Sequence, residues 1–388
     1  MSKTLDIDPD IEKHATSAPI TTENSLSPPT TIPKCPAQTS SSSFKQLSFL
    51  DRFLALWILF SMALGLLLGY FIPSVSPALQ KGSFVSVSIP IAIGLLVMMY
   101  PILIKVRYES LPAIFRHREL WKHLFFSVLI NWLIAPLLMV GLAWACLPDK
   151  PELREGLILV GIARCIAMVL VWTQLAAGDN EYCALLVAVN SGLQMVLFAP
   201  LAVFYIRVVS GGSVDVDYET VATSVAVFLG IPLAAAVVTR FLVRGVLLSG
   251  DEERWQRHFV RWIAPWSLIG LLFTIIVLFA SQARNIAEKV VEVVRVAVPL
   301  LVYFVVVFAV VLAWARWRGW PYGKTVTQCL TAASNNFELA IAVAVACYGA
   351  ASSQALAATV GPLIEVPVLL ALVEVMKWVA RKWKWEEK

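Results

Sequence analysis

Apolar residues run through this chain in stretches of about twenty, broken by short polar connections. That pattern lacks both the alternation of a half-buried strand and the single polar stripe of a surface helix. Ten such stretches follow one another: Arg52 to Ile72, Phe84 to Ile104, Leu120 to Leu147, Gly156 to Ala177, Tyr182 to Ile206, Val221 to Leu248, Val260 to Ser281, Val290 to Ala315, Val326 to Tyr348 and Leu356 to Val379. Each can cross a hydrocarbon layer of ~30 Å. Backbone groups in lipid must pair within their own segment, so the pattern predicts helices. The weak alternation expected of an outer-membrane barrel is absent.

Two of the ten stretches are interrupted. GIARCIAMVLVWTQLA puts Arg164 and Cys165 inside the fourth, and TAASNNFELAIAVAV puts Ser334, Asn335, Asn336 and Glu338 inside the ninth. An ionised group in hydrocarbon costs several kcal/mol, so these side chains must face a cavity or one another. Interrupted segments at matching places in two halves point to the binding site of a transporter. The acidic connection SGGSVDVDYE (Ser210 to Glu219) divides the spans five and five. An odd number per half makes the second half an upside-down copy of the first. The expected fold is therefore an all-α polytopic membrane protein of ten transmembrane helices. It comprises two inverted five-helix repeats (residues 49–209 and 210–388), with broken helices four and nine crossing near the midplane.

Composition sharpens this without changing it. A mean hydropathy of +0.76 with 59% hydrophobic residues and 14 Trp excludes an ordinary soluble domain. The net charge of +5 sits in loops and bears on topology, not on nucleic acid. Basic residues follow the second span (Lys105, Arg107, Arg116, Arg118, Lys122), surround the loop after the sixth (Arg240, Arg244, Arg254, Arg257, Arg261), and follow the eighth and tenth. These loops share one side, so both termini are expected in the cytoplasm. The opposite loops are short or mixed in sign, as in Asp149, Lys150, Glu152, Arg154 and Glu155. Residues 1–48, rich in Ser, Thr and Pro, read as a disordered cytoplasmic tail without a signal peptide. The six cysteines show neither a CxxC pair nor metal-ligand spacing, so no disulfide framework, resident metal or cofactor is expected.

The breaks carry the chemistry. A cation beside a thiol favours the thiolate, the form that binds soft metals and metalloids, and Arg164 immediately precedes Cys165. An isolated membrane cysteine is more often a packed hydrophobe, but a buried Arg beside this one favours function. Arg164 itself can be a lock, pairing with an acid or with carbonyls of the broken helix, or a ligand contact. Trp172 lies seven residues past Cys165 and can share its helix face, as Cys183 and Asn190 can in the fifth span. Glu338 is the candidate proton carrier, a carboxyl able to load and release protons in a semi-apolar cavity. Asn335 and Asn336 offer amides either to a solute's hydration sites or to unwound backbone. Glu365, in GPLIEVP of the tenth span, needs a partner, and Arg164 is the obvious candidate. Glu374 reads as an interfacial charge, and Asp179 and Glu181 as solvated loop residues.

At GIARCIAMVLVWTQLAAGDNEYC, SNNFELAIAVAV and GPLIEVPVL, the chain resembles an arsenite efflux permease of the arsenical-resistance family, in the bile-acid/arsenite transporter superfamily. The likeness covers roughly residues 48 to 385. It implies a panel of spans one, two, six and seven, and a core of spans three to five and eight to ten. It also implies that Cys165 is the essential thiol and Glu338 the essential acid. Arg164, Trp172, Asn190, Asn336 and Glu365 then match functional positions, with Cys183 a further thiol that only some relatives possess.

The expected function is efflux of arsenite, and of antimonite as the natural second substrate, across the plasma membrane in exchange for protons. A soft thiophilic metalloid suits one thiol, since transport needs binding weak enough to release. A sodium-coupled organic-anion symporter on the same fold is the alternative, but it would have no need of Cys165. A passive channel is disfavoured by the paired broken helices and buried Glu. An enzyme is disfavoured because no nucleophile–base set, phosphate loop or metal motif occurs.

Overall fold

Helices occupy all ten apolar segments, and six of them are long and apolar enough by length and composition to cross a membrane. The computed structural model describes residues 53–106, 108, 118–166, 168–209, 217–247, 250–383 and 385. The expected N-terminal tail with its Cys35, the basic residues Arg107 and Arg116, and most of the Ser210–Glu219 connection lie outside the described residues.

Helix α1 (Leu54–Phe71) leads through a short α2 (Val75–Leu79) into a hairpin, β1 (Ser83–Phe84) with β2 (Val87–Ser88). Its two turn residues, Val85 and Ser86, have φ of 51° and 60°, the left-handed geometry of the tightest hairpin turns. Helix α3 (Ile89–Leu103) therefore starts at Ile89 rather than at the expected Phe84, with Pro90 in its first turn, where a missing N–H removes no bond. Then come α4 (Leu120–Cys146), α5 (Pro151–Ile162), α6 (Met168–Leu175), α7 (Asn180–Val209) and α8 (Tyr218–Val246). The chain continues through α9 (Glu252–Arg284), α10 (Val290–Trp317), α11 (Tyr322–Ala333), α12 (Phe337–Tyr348) and α13 (Ser353–Lys382). The fourth apolar segment is thus split into α5 and α6, and the ninth into α11 and α12.

The packing falls into two sets. Helix α9 packs along α1 and α3, and α3 also packs on α8. The α1–α9 contact rests on Gly65 and Gly69, one turn apart. A Cβ on Gly65 would stand 2.7 Å from the Ile276 carbonyl oxygen, and one on Gly69 would overlap the Ala280 carbonyl. Small residues at this spacing let two apolar helices touch backbone to backbone, which is how helices associate where lipid removes the hydrophobic drive. In the second set α13 packs on α5, α10 and α12, and α10 packs on α4 and α11. The first turns of α8 meet α7 and α12, joining the sets.

One loop expectation is corrected. Arg154 and Glu155 belong to α5 and are 5% and 1% exposed. The Arg154 guanidinium donates to the carbonyls of Leu147 (3.1 Å) and Pro148 (2.8 Å) and lies over the Trp144 ring, while Glu155 accepts from Gln354 Nε2 at 2.9 Å. Each buried charge is thereby partnered. Nearby, Lys150 pairs with Glu292 at 3.0 Å and Asp149 with Arg295, tying this connection to the start of α10. Asp179 is likewise more than a solvated loop residue. Its carboxylate caps α7 by accepting from Tyr182 N at 2.9 Å, and its own N–H donates to Thr327 Oγ1 of α11 at 3.1 Å. Glu374 is exposed and pairs with Lys377.

A fixed spacing runs through the second set. Helix α5 spans Pro151–Ile162 and α11 spans Tyr322–Ala333, so start and end are both displaced by 171 residues (322 − 151 and 333 − 162). The bounds of α4 and α10, and of α7 and α13, recur at the same displacement to within two residues.

Candidate functional site

The two split segments meet where they are not helical. Arg164 and Asn335 form an isolated antiparallel bridge between the extended breaks, and the Asn336 N–H donates to the Ala163 carbonyl at 3.1 Å. Helix ends leave carbonyls unpaired, and the breaks themselves supply the donors. Asn335 Nδ2 donates to the carbonyls of Val160 (2.7 Å) and Ala163 (3.1 Å) at the end of α5. The Arg164 guanidinium donates to the Gly161 carbonyl and, at 3.1 Å, to the Tyr303 hydroxyl of α10. Ser334 Oγ closes α11 on Leu330 O at 2.7 Å. Asn336 caps α12, its Oδ1 accepting from Leu339 N at 3.1 Å.

Each break is also held by a side chain from a long helix. The Arg164 N–H donates to Gln194 Oε1 of α7 at 2.5 Å, and the Asn335 N–H donates to Glu365 Oε1 of α13 at 3.1 Å. These bonds obey the helix spacing, since 335 − 164 and 365 − 194 both give 171. Trp132 of α4 and Tyr303 of α10 stand at the same displacement (303 − 132). Trp132 Nε1 donates to Asn190 Oδ1 at 3.1 Å, whereas the Tyr303 hydroxyl accepts from Arg164.

This geometry changes three expectations. Arg164 does not pair with Glu365. Its guanidinium is turned to a helix-end carbonyl and a phenol, while Glu365 is taken by the Asn335 backbone. Cys165 lies in the extended break before α6 begins, so helical spacing does not bring it to the Trp172 face. Cys183 sits well away from the crossing. It is buried with Thr173 Oγ1 at 3.4 Å from its sulfur, and stands ~16 Å along α7 from Gln194 at 1.5 Å per residue.

The crossing is rich in buried donors. Arg164 Nε and Nη1, Asn190 Nδ2, Gln194 Nε2 and Asn336 Nδ2 are buried without a hydrogen-bond partner, against one such acceptor on the breaks, Asn335 Oδ1; Trp172 Nε1, further along α6, is likewise buried and unpartnered. The amide orientations are fixed by the bonds already described. Asn190, Gln194 and Asn336 each use their oxygen to accept from a group that can only donate, which leaves the NH₂ group unused. The helices α6 and α12 begin beside the breaks, adding the positive ends of two helix dipoles. Cys165, 2% exposed, directly follows Arg164 in the same break.

Acid chemistry lies alongside. Glu338 in the first turn of α12 and Glu365 on α13 both line a cavity of ≈ 30 Å³, room for one or two water-sized molecules. Ile58 of α1, Thr274 of α9, Met168 of α6 and Pro362 of α13 are among its walls, so it lies between the two helix sets. Among the described residues no group of three or more His, Cys, Asp or Glu has the arrangement of a metal site. Sequence reasoning missed Gln194, Tyr303 and Thr274. The signal for Gln194 was present, a polar residue four after Asn190 on an apolar helix.

The sodium bile acid symporter family matches residues 92–289. The chain is 46% identical over 343 residues to the arsenical-resistance protein Acr3 of Corynebacterium glutamicum, covering 87% of this chain and 91% of that one. It is 33% identical over 351 residues to the uncharacterized transporter slr0944 of Synechocystis sp., covering 85% and 89%. It is 31% identical over 341 residues to the arsenical-resistance protein Acr3 of Alkaliphilus metalliredigens, covering 85% and 93%.

Proposed function

Because the chain belongs to the arsenical-resistance Acr3 branch of the sodium bile acid symporter family, we propose that it exports arsenite from the cell in exchange for protons. The observation that supports this reading is the crossing itself, where the Arg164–Cys165 break meets the Asn335–Asn336 break, buried N–H donors lack partners, and Glu338 and Glu365 share a cavity. Arsenous acid presents a soft arsenic centre and three oxygens. A thiolate suits the first and N–H donors suit the second. In this reading Cys165 takes the metalloid, and Arg164, Trp172, Asn190, Asn335 and Asn336 shape the oxygen-binding wall. Glu338 carries the proton, with Glu365 second. Antimonite, with the same valence and softness, is the companion substrate. Cys183 is set apart as an accessory thiol on the route.

The architecture we propose has ten spans in two inverted repeats, in the plasma membrane with both termini cytoplasmic. The constant displacement of 171 residues supports a repeat. The antiparallel bridge supports its inversion, because equivalent residues, Arg164 and Asn335, meet each other running in opposite directions.

The family description raises sodium coupling as a second reading. A sodium site needs converging oxygens, and donor hydrogens repel a cation. The imbalance of unpartnered donors over acceptors at the crossing favours the arsenite reading. Inside-out vesicles test both. Arsenite should accumulate against its gradient when a pH gradient is imposed and should ignore sodium. Uptake driven by sodium and indifferent to pH would overturn proton exchange, and no arsenite uptake would overturn the substrate.

A further inference from the structure

Gln194 lies outside the motifs that marked this site, yet it occupies the place that Glu365 occupies on the other break. It is fully buried, accepts the Arg164 N–H through Oε1 at 2.5 Å, and leaves Nε2 without a partner. Asn190, one turn earlier on the same face of α7, repeats the arrangement. Its oxygen is held by Trp132 and its NH₂ group is unused. Two adjacent amides with oxygens fixed and nitrogens unused form a directed pair of donors.

The equivalent face of α13 is built differently. At the 171-residue displacement Gln194 corresponds to Glu365, and Asn190 corresponds to Gly361. A Cβ on Gly361 would overlap the Phe337 ring, so that space is filled by an aromatic side chain. One half therefore presents two amide donors on the helix that holds the Arg164–Cys165 break, and the other presents a carboxyl and a phenyl ring beside Glu338. A carboxyl changes its hydrogen-bonding character with each proton, whereas an amide does not. The amide half can grip a neutral oxyacid at every stage of a proton cycle.

We propose that Gln194 is a specificity-determining residue of the arsenite site. Its Oε1 positions the Arg164–Cys165 break and its Nε2 donates to an oxygen of the bound oxyacid. This inference rests on the arsenite reading given above. The acceptor and donor roles separate in two variants. Gln194→Leu removes both, while Gln194→Glu keeps an oxygen for the Arg164 N–H and replaces the donor. A protonated carboxyl can donate where the amide did, and an ionised one cannot.

The test measures arsenite binding to purified full-length protein at several pH values, together with transport in vesicles. Wild type, both variants and thermal unfolding of each are compared. Gln194→Leu should weaken arsenite binding roughly tenfold or more, the factor that ~1.4 kcal/mol of hydrogen bonding represents. Gln194→Glu should approach wild-type thermal stability at low pH, where the buried carboxyl is neutral; it should bind weakly at neutral pH and, as a ratio to wild type at each pH, regain affinity as pH falls through the titration of the new carboxyl. A structural role alone gives no such recovery. Wild-type affinity and pH profile in both variants would overturn the inference while leaving the arsenite reading standing. Loss of stability in Gln194→Glu equal to that in Gln194→Leu, with no pH-dependent recovery, would also overturn it. Absence of arsenite binding by the wild type would overturn both.

Discussion

Glu365 is the residue whose structural and chemical roles can be separated most cleanly. Its Oε1 accepts the Asn335 N–H at 3.1 Å, and no ion pair joins it to Arg164 among the described residues. Glu365→Gln keeps an acceptor in the same place. A hydrogen bond to a charged group contributes about 1.5–3 kcal/mol and a neutral one about 0.5–1.5, so the exchange removes at most about 1 kcal/mol, and next to nothing where the buried carboxyl is protonated. That is small beside the ~5–15 kcal/mol that holds a native fold together, and shifts unfolding by about 2–4 °C or less in a chain of this size. Glu365→Leu instead strands the Asn335 N–H at a buried crossing, about 1–3 kcal/mol, and adds apolar bulk to the cavity wall. Thermal unfolding in detergent should therefore rank wild type, Gln and Leu in that order, with the Gln variant close to wild type in membrane abundance. Arsenite transport should be impaired in both, because neither can hold and release a proton there. Equal destabilisation by Gln and Leu would refute the reasoning, since it would mean that the charge of Glu365, not its acceptor, supports the fold. Uphill transport by the Gln variant with the wild-type pH profile would remove Glu365 from the proton path.

Cys165→Ser should abolish arsenite transport in vesicles while the protein reaches the membrane at normal levels, because serine keeps size and polarity but not the soft donor; near-normal efflux would return Cys165 to packing. Glu338→Gln should end extrusion driven by a pH gradient while retaining arsenite binding. Wild-type binding should weaken as pH falls through the titration of Glu338, and the Gln variant should lose that dependence; continued uphill transport would route the proton elsewhere. Gly361→Ala should destabilise by about 1–3 kcal/mol as an overpacking change, read by thermal unfolding, since the new Cβ overlaps the Phe337 ring; an unchanged melting point would mean that α12 and α13 separate easily at that point.

Much of the crossing was legible because charged and amide groups stand out against apolar runs. Arg164, Asn335, Asn336, Glu338 and Glu365 announced themselves in this way, and the structure gathers them at the breaks or in the adjoining cavity. What stayed hidden follows from the same physics. Gln194 and Tyr303 lie in uninterrupted apolar helices rather than in a polar break, and a single uncharged polar residue there is easily read as one satisfied locally. The partner of Arg164 was misassigned because opposite charge suggests an ion pair, whereas a broken helix supplies carbonyls that satisfy a guanidinium without one. The start of α5 was misread because Glu152, Arg154 and Glu155 resemble a solvated loop. Only the folded chain places Gln354 against Glu155, and Trp144 with two carbonyls against Arg154. The hairpin before α3 was hidden for another reason, since two-residue strands are too short to show a period.

An exchanger must let proton and solute sense each other, and the hydrogen bonds at the crossing are arranged so that neither break moves alone. Glu365 holds the Asn335 backbone, and the Asn335 side chain holds the last carbonyls of α5. The residue that follows those carbonyls, Arg164, is held in turn by Gln194 and carries Cys165 next to it. Such a run of bonds shows contiguity and not coupling, which requires an element with two arrangements whose balance both ligands bias. The cavity supplies the place for that element, because its walls come from both helix sets and its carboxyls sit on one of them. A change in charge at Glu338 or Glu365 alters what the facing wall of Ile58, Leu271, Thr274 and Ile275 can tolerate. An apolar wall accepts a neutral acid far more readily than a carboxylate. In the proposed exchange, protonation would therefore favour closure of the two sets against each other and ionisation would oppose it, with α5 and the thiol break that follows it on the set that carries the acids.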